Sequence, residues 1–369
     1  MSGPDAQITA EEQAILTPIG FEDTDHRAAT SILVDHEIRL STSHNDGVEV
    51  LPIKDALKRY DWVQDLMFNL ISAEENEYVR QAAESMDDPL GHFLWVHDGA
   101  KVADPIQSFT LLETPQGRQF THNVTVIGEG ADVTLVSGAA VPGRVHRGHH
   151  VSIEETYIRK GARCRSIAIE NWGADMQVQS YSRTDVGEGA EQVSNQIMLG
   201  EIRHHLSNTG SIVHAGARQN DQAIIFAPEG TERVFETQTR LAAPGAHSQS
   251  VARMVSAGGR IENRALLVGE AGDTVGFLGC DGLKLTDKGE ILAVPGLSAR
   301  AEGAQLSHEA SVGTVGADKI AYLMASGLSE DAARDLIVQG FLNLKDRYIP
   351  AELQERVAAM ILQAKSGGM

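Results

Sequence analysis

Between residues 90 and 312, apolar and polar side chains alternate in short runs, as in Asn123-Val124-Thr125-Val126 and Asp132-Val133-Thr134-Leu135. Alternation with period two places apolar groups on one face of a strand, so this stretch predicts strands with almost no helix. A turn dipeptide recurs through it, at Gly130-Ala131, Gly161-Ala162, Gly189-Ala190, Gly216-Ala217, Gly245-Ala246, Gly272-Asp273 and Gly303-Ala304. The gaps are 31, 28, 27, 29, 27 and 31 residues. A steady period in an all-strand region predicts a coiled, solenoid-like β-helix, with a Greek-key sandwich or barrel as its rival. How many turns of solenoid one period makes does not follow from the spacing.

The flanks differ. In residues 1–89, Leu57, Trp62, Leu66, Leu70 and Ile71 fall at helical spacing between Asp55 and Met86, broken near Ser72 and ended by Asp87-Asp88-Pro89. From 315 to 369 the pattern is again helical. Lys319 to Met324 stops at Gly327, and Ser329 caps a second helix with Glu330 and Asp331 in its first turn. Leu336, Ile337, Gly340, Phe341 and Leu344 are expected on one face, and Pro350 opens a last helix with Leu353, Val357 and Ile361. A helical tail after a solenoid is expected either to cap its open end or to dock a partner.

With 51 acidic against 31 basic residues, the formal charge of −20 argues against nucleic acid and anionic membrane as partners. No apolar run approaches the roughly 20 residues of a spanning helix, and the acidic start lacks a signal-peptide n-region, so a cytoplasmic protein is expected. Two cysteines, Cys164 and Cys280, exclude a disulfide scaffold and a Cys₄ site within one chain. No GxxxxGK[ST] loop occurs, so the chain should not bind ATP itself. Aromatics at 5% leave few sugar platforms, against a polysaccharide lyase or hydrolase.

The candidate chemistry is sparse. Cys280 and Glu309 are 29 residues apart, close to the repeat. If that were a whole number of turns, thiol and carboxylate would stack about 4.8 Å apart on one face. Thiolate with carboxylate or imidazole is a partial ligand set for iron. His308 adjoins Glu309, and on a regular strand the two point to opposite faces. The clusters His146-Arg147-Gly148-His149-His150 and His204-His205 are of a type that can bind metal, but they lack the HExxH spacing and a nearby carboxylate pair, so exposed polar strand ends are the expectation. Glu170-Asn171-Trp172, taken alone, is a strand end with a Trp over the core.

Cys280-Asp281, Asp287-Lys288, Pro295, His308-Glu309-Ala310, Tyr322-Leu323, Gly327 to Ala332 and Gly340-Phe341, in this order and spacing, resemble the SufB/SufD family, the scaffold subunits of the SUF iron–sulfur cluster assembly machine. Glu170-Asn171-Trp172 is similar to the family's Gln-Asn-Trp, and Gly138 to Pro142 is a weaker match. The short chain looks like the compact branch in which one SufB-like chain works without SufD. The resemblance implies a right-handed parallel β-helix core over 90–314, an amino-terminal mixed or helical region and a carboxy-terminal helical domain. It implies a scaffold without enzymatic turnover, a homodimer joined through the carboxy-terminal β-helix ends, a SufC-type ABC ATPase on the last helices, and acceptor proteins for the cluster. Cys280 and Glu309 fall on SufB's proposed cluster ligands, and His308 on a SufD site histidine, for a transient iron–sulfur cluster. Ala139 stands where SufB has the cysteine thought to receive sulfur. Glu170 replaces a Gln of the proposed sulfur tunnel beside Trp172, and Arg183 falls roughly on its Lys. Sulfur would then arrive as free sulfide, or Cys164 would substitute on that path. The alternative is a SufD-like partner that stabilises a separate SufB without holding the cluster.

Overall fold

A computed structural model describes residues 8–24, 26–84 and 88–342, and positions 355 and 359. Two sheets form the core, one of ten strands and one of nine. From residue 106 onward, successive strands alternate between them and pair in parallel, so each coil adds one strand to each sheet. The result is a β-solenoid of about eight turns.

The recurrent turn explains the period. Gly130, Gly161, Gly189, Gly216, Gly245 and Gly303 all have φ between +62° and +83°, a left-handed conformation that glycine adopts without strain. The alanine that follows is buried in each of the first five and joins one apolar column inside the coil ends. One repeat is therefore one coil. At the sixth turn the positive φ falls on Asp273 rather than Gly272, and the buried position is taken by Thr274. The equivalent of the Gly-Ala pair is thus Asp273-Thr274, and the last complete coil, from Asp273 to Gly303, is 30 residues long.

The sheets reach back into the amino-terminal region. Ala29–Val34 pairs in parallel with Ile106–Leu111, and Glu37–Ser43 closes that edge in antiparallel. Val48–Pro52 closes the other sheet against His92–Val96. Glu37–Ser43 and Val48–Pro52 are thus the edge strands at the entry end of the two sheets. The helical stripe expected over 55–86 is broken into helices Ile53–Arg59, Asp61–Gln64 and Glu77–Glu84. Tertiary contacts override the pattern here. Glu155, fully buried, accepts the amides of Phe68, Leu70 and Ile71 and sits 2.7 Å from His122 Nε2, which holds residues 68–71 as a turn. Met86 and Asp87 lie outside the described residues.

Helix Ala10–Leu16, with a capping box between Thr9 and Glu12, and helix Glu330–Leu342 both pack on the outer face of the ten-stranded sheet. Among the described residues, helix Glu330–Leu342 covers a flank of the solenoid and does not plug its open end. Ala317–Ala325 ends before Gly327 at φ +99°, and the Ser329 hydroxyl accepts the Ala332 amide at 3.2 Å, as the sequence predicts. The buried face differs from expectation. Ala333, Val338 and Leu342 face the sheet with Ile337 and Phe341 at the margin, whereas Leu336 is half exposed. Leu344, Pro350, Leu353, Val357 and Ile361 lie outside the described residues. No described helix is long and apolar enough to cross a membrane.

Candidate functional site

The register of the last two coils decides what Cys280 can meet. Strand Val275–Lys284 pairs with Gln305–Thr314 so that Leu278 faces His308, Gly279 faces Glu309 and Cys280 faces Ala310. The 29-residue spacing is one residue short of the local coil, and a shift of one residue moves a side chain to the opposite face. The expected stack of Cys280 on Glu309 is therefore corrected. Cys280 points into the solenoid and is 1% exposed, while Glu309 follows Gly279 on the outer face and is exposed. The inner neighbour of Cys280 on the next coil is Ala310, and His308, opposite Leu278, lies on the same inner row diagonal to Cys280. Cys280 and His308 thus share a wall, and Glu309 does not.

Burial among Met254, Ile261 and Phe235 raises the Cys280 thiol above its ordinary range, partly offset by Asn263 Nδ2 donating to Sγ at 3.4 Å. Metal binding would have to displace that proton. A cavity of about 40 Å³ opens beside the thiol, lined by Gln196, Ser207, Thr209 and Asn263.

This cavity belongs to a longer polar lumen. It shares Gln196, Thr209, Ala223, Thr237 and Ser250 with one of about 210 Å³, which in turn shares Glu154, Ser137, Ala168 and Ser182 with one of about 100 Å³. Inward positions on the middle coils carry Ser, Thr, Gln, Glu and Asp where a β-solenoid usually packs aliphatics. Glu154 and Asp221 face this space, and burial pushes them up to about 6 and about 7. Glu154 nevertheless keeps accessible surface, which is the surface of the lumen. A polar void of this size holds water.

Glu170, Trp172 and Cys164 all border the lumen, but Arg183 does not. Arg183 lies on the outer face of the nine-stranded sheet, over Gly210, bonded to Glu75 and the Asn208 carbonyl, so its place on an internal path is corrected. Ala139 is in register with Glu170 on the same inner row. Cys164 is 3% exposed and burial holds its thiol up at about 12, so it stays protonated and is a poor nucleophile. Glu170 accepts from Trp172 Nε1 at 2.9 Å and lies 3.5 Å from His205 Nε2. Burial raises its carboxyl, and Arg233 counters part of that effect.

Arg233, fully buried, donates to the Leu199 and Gly200 carbonyls and to His205 Nδ1. His150 stacks on Trp172 at 4.9 Å between centroids and is pushed down to about 3 by burial. The expectation that both histidine clusters are exposed strand ends is thus corrected in part, because His150 and His205 point inward while His146, His149 and His204 face out. Sequence reading missed Glu154, Asp221 and Arg233, and placed His150 and His205 on the outside. Once the parity of each strand is known from its buried neighbours, all five fall on inner rows.

Among the described residues no three of His, Cys, Asp and Glu converge to hold a metal ion. One chain therefore presents Cys280 with His308 nearby, an incomplete set.

Residues 110–341 match the family described as "SUF system FeS cluster assembly, SufBD core domain". The chain belongs to the SufBD family. It is 31% identical over 369 residues to an iron–sulfur cluster assembly SufBD family protein of Archaeoglobus fulgidus, covering 99% of this chain and 98% of that one. A SufBD family protein of Methanothermobacter thermautotrophicus is 27% identical over 366 residues, 98% of this chain and 89% of the relative. SufB of Bacillus subtilis is 26% identical over 265 residues, 71% of this chain and 57% of the relative. Membership in the SufBD family places the chain in iron–sulfur cluster assembly.

Proposed function

We propose that the chain is a scaffold on which an iron–sulfur cluster is built and handed on, with Cys280 as the anchoring ligand. The observation that carries this is the position of Cys280, at the end of a polar lumen and one coil from the open edge of the solenoid. At that edge, among the described residues, Glu290–Ala299 and Gln305–Thr314 each pair on one side only, and they expose Val294 and Val312 by nearly half. Unpaired strands with apolar side chains favour a second chain laid edge to edge. Two copies of this chain joined there would bring two Cys280 and two His308 together, and Glu309, which faces outward on its own chain, would complete the set from the seam. Thiolate is the tight, soft ligand. Imidazole and carboxylate hold the cargo more loosely, which suits transfer to an acceptor protein.

The chain would work in the cytoplasm with a SufC-type ATPase. Tyr322, Met324 and Leu336 are exposed on helices Ala317–Ala325 and Glu330–Leu342, and they offer it an apolar docking face. ATP-driven movement of helix Glu330–Leu342 would act on Val255 and Leu283, the outer face of the strands whose inner faces carry Ala252 and Cys280. The chain itself binds no nucleotide and turns over no substrate. With Ala139 at the family's cysteine position and Cys164 held protonated, sulfur would reach Cys280 as free sulfide. A second reading, a SufD-like support for another scaffold chain, is favoured by the outward turn of Glu309.

Anaerobic reconstitution followed by mass measurement and iron analysis separates the two. The scaffold reading expects iron and sulfide to co-elute with a two-chain species, and a 2:2 assembly with the ATPase. A chain that stays monomeric and retains no iron would favour the support role.

A further inference from the structure

Resting on the scaffold reading, we propose that the lumen of the solenoid is a route for iron: a partly hydrated ferrous ion, held in transit by Glu154 and Asp221, reaches the Cys280 thiol from inside the coil.

Glu154 and Asp221 face the central cavity of about 210 Å³ from opposite sheets. Their side-chain partners are neutral amides, Asn123 and Gln219, and neither is in an ion pair among the described residues. Glu170 adds a third carboxylate to the adjoining cavity, with Arg233 and His205 behind it. Two buried polar atoms border the same space without a partner: Gln192 Oε1 at the central cavity and Thr121 Oγ1 at the adjoining one, in residues 8% and 1% exposed. A carbonyl oxygen can only accept, so Gln192 calls for a donor or a cation.

The electrostatics select the sign of the cargo. Hydrosulfide or a persulfide is anionic and would be repelled by carboxylates that no cation compensates. Ferrous iron is attracted, and carboxylate, amide carbonyl, hydroxyl and water are ligands it accepts. The cavity leaves room for several of its waters. Passage requires sites weak enough to leave, and the lumen spreads its oxygen donors along the axis rather than gathering them. The route ends at Gln196, Asn263 and Cys280, where the ion exchanges oxygen ligands for sulfur as the thiol gives up its proton to water. Iron and sulfide would then approach Cys280 from opposite sides, iron through the coil and sulfide from the seam.

The test uses the full chain, anaerobic and free of sulfide. Ferrous ion is mixed with wild type and with Glu154→Gln/Asp221→Asn, and the thiolate-to-iron charge-transfer band is followed by stopped flow. The expected result is loading at least tenfold slower in the double variant, while conversion of pre-loaded iron by added sulfide keeps its rate. An unchanged loading rate overturns the proposal. Wild-type crystals soaked in ferrous ion and measured at the iron edge need no variant to fold. An anomalous peak between Glu154 and Asp221 supports the route, and iron at Cys280 with none in the lumen overturns it while leaving the scaffold reading intact. Absence of iron from Cys280 itself would defeat the scaffold reading and the route together.

Discussion

Asp221 gives the most quantitative handle on the lumen. Its carboxyl rises from 3.8 to about 7 because it is surrounded by protein and no cation compensates it. A shift of that size has a ceiling of about 4 kcal/mol at 1.36 kcal/mol per unit. Asp221 borders a water-filled cavity and is not fully occluded, so screening reduces the effect to ~1–2 kcal/mol. The sign follows from the raised folded value. Below pH 4 the acid is neutral in both states and its contribution to stability is fully present. Between pH 4 and about 7 the unfolded chain ionises while the folded one keeps its proton, so that contribution is lost progressively and is gone above about 7. Asp221→Asn keeps the shape and cannot ionise. Urea unfolding midpoints at steps from pH 4 to pH 8 should therefore coincide at the acid end, separate progressively between pH 4 and about 7, and hold a constant gap above that, with the variant the more stable by ~1–2 kcal/mol. A variant less stable at pH 8, or a gap independent of pH, would refute the placement of Asp221 in an uncompensated interior.

The remaining expectations concern separate parts of the chain. Glu155→Gln replaces the carboxylate beside His122 Nε2 and weakens the anchor of residues 68–71. It should cost about 2 kcal/mol and speed amide exchange there, and unchanged protection would contradict the anchoring role. Asp273→Gly places glycine where the turn needs positive φ and should raise the melting temperature, by roughly 0.5–1 kcal/mol of stability, whereas a lower melting temperature would count against the turn equivalence. Cys164→Ala should leave cluster loading intact and cost about 1 kcal/mol of stability, and loss of loading would restore Cys164 to a sulfur path.

The solenoid was legible in the sequence because its turn demands glycine at positive φ followed by a small buried residue, a signal written once per coil. The site was less so. The 29 residues from Cys280 to Glu309 look like one period, but the coil lengthens to 30 where Asp273 takes the glycine's place, and a single residue reverses the face. The polar lumen escaped notice for a related reason. Serines, threonines and acids at strand positions suggest the outside of a sheet, and only the register shows that Glu154 and Asp221 face inward. At the amino terminus, the helical stripe of residues 55–86 gave way to Glu155, a contact from 84 or more positions along the chain that no local pattern contains. Conversely, the Ser329 cap and the Gly327 stop are local chemistry, and both stand where the sequence predicts them.

The central claim is that the Cys280 sulfur anchors the nascent cluster. Visible absorbance after anaerobic reconstitution of Cys280→Ser with iron and sulfide tests it most directly. The account expects the sulfide-to-iron bands of the wild type to be lost or to bleach within the reconstitution. Wild-type spectra and iron content in the serine variant would contradict it.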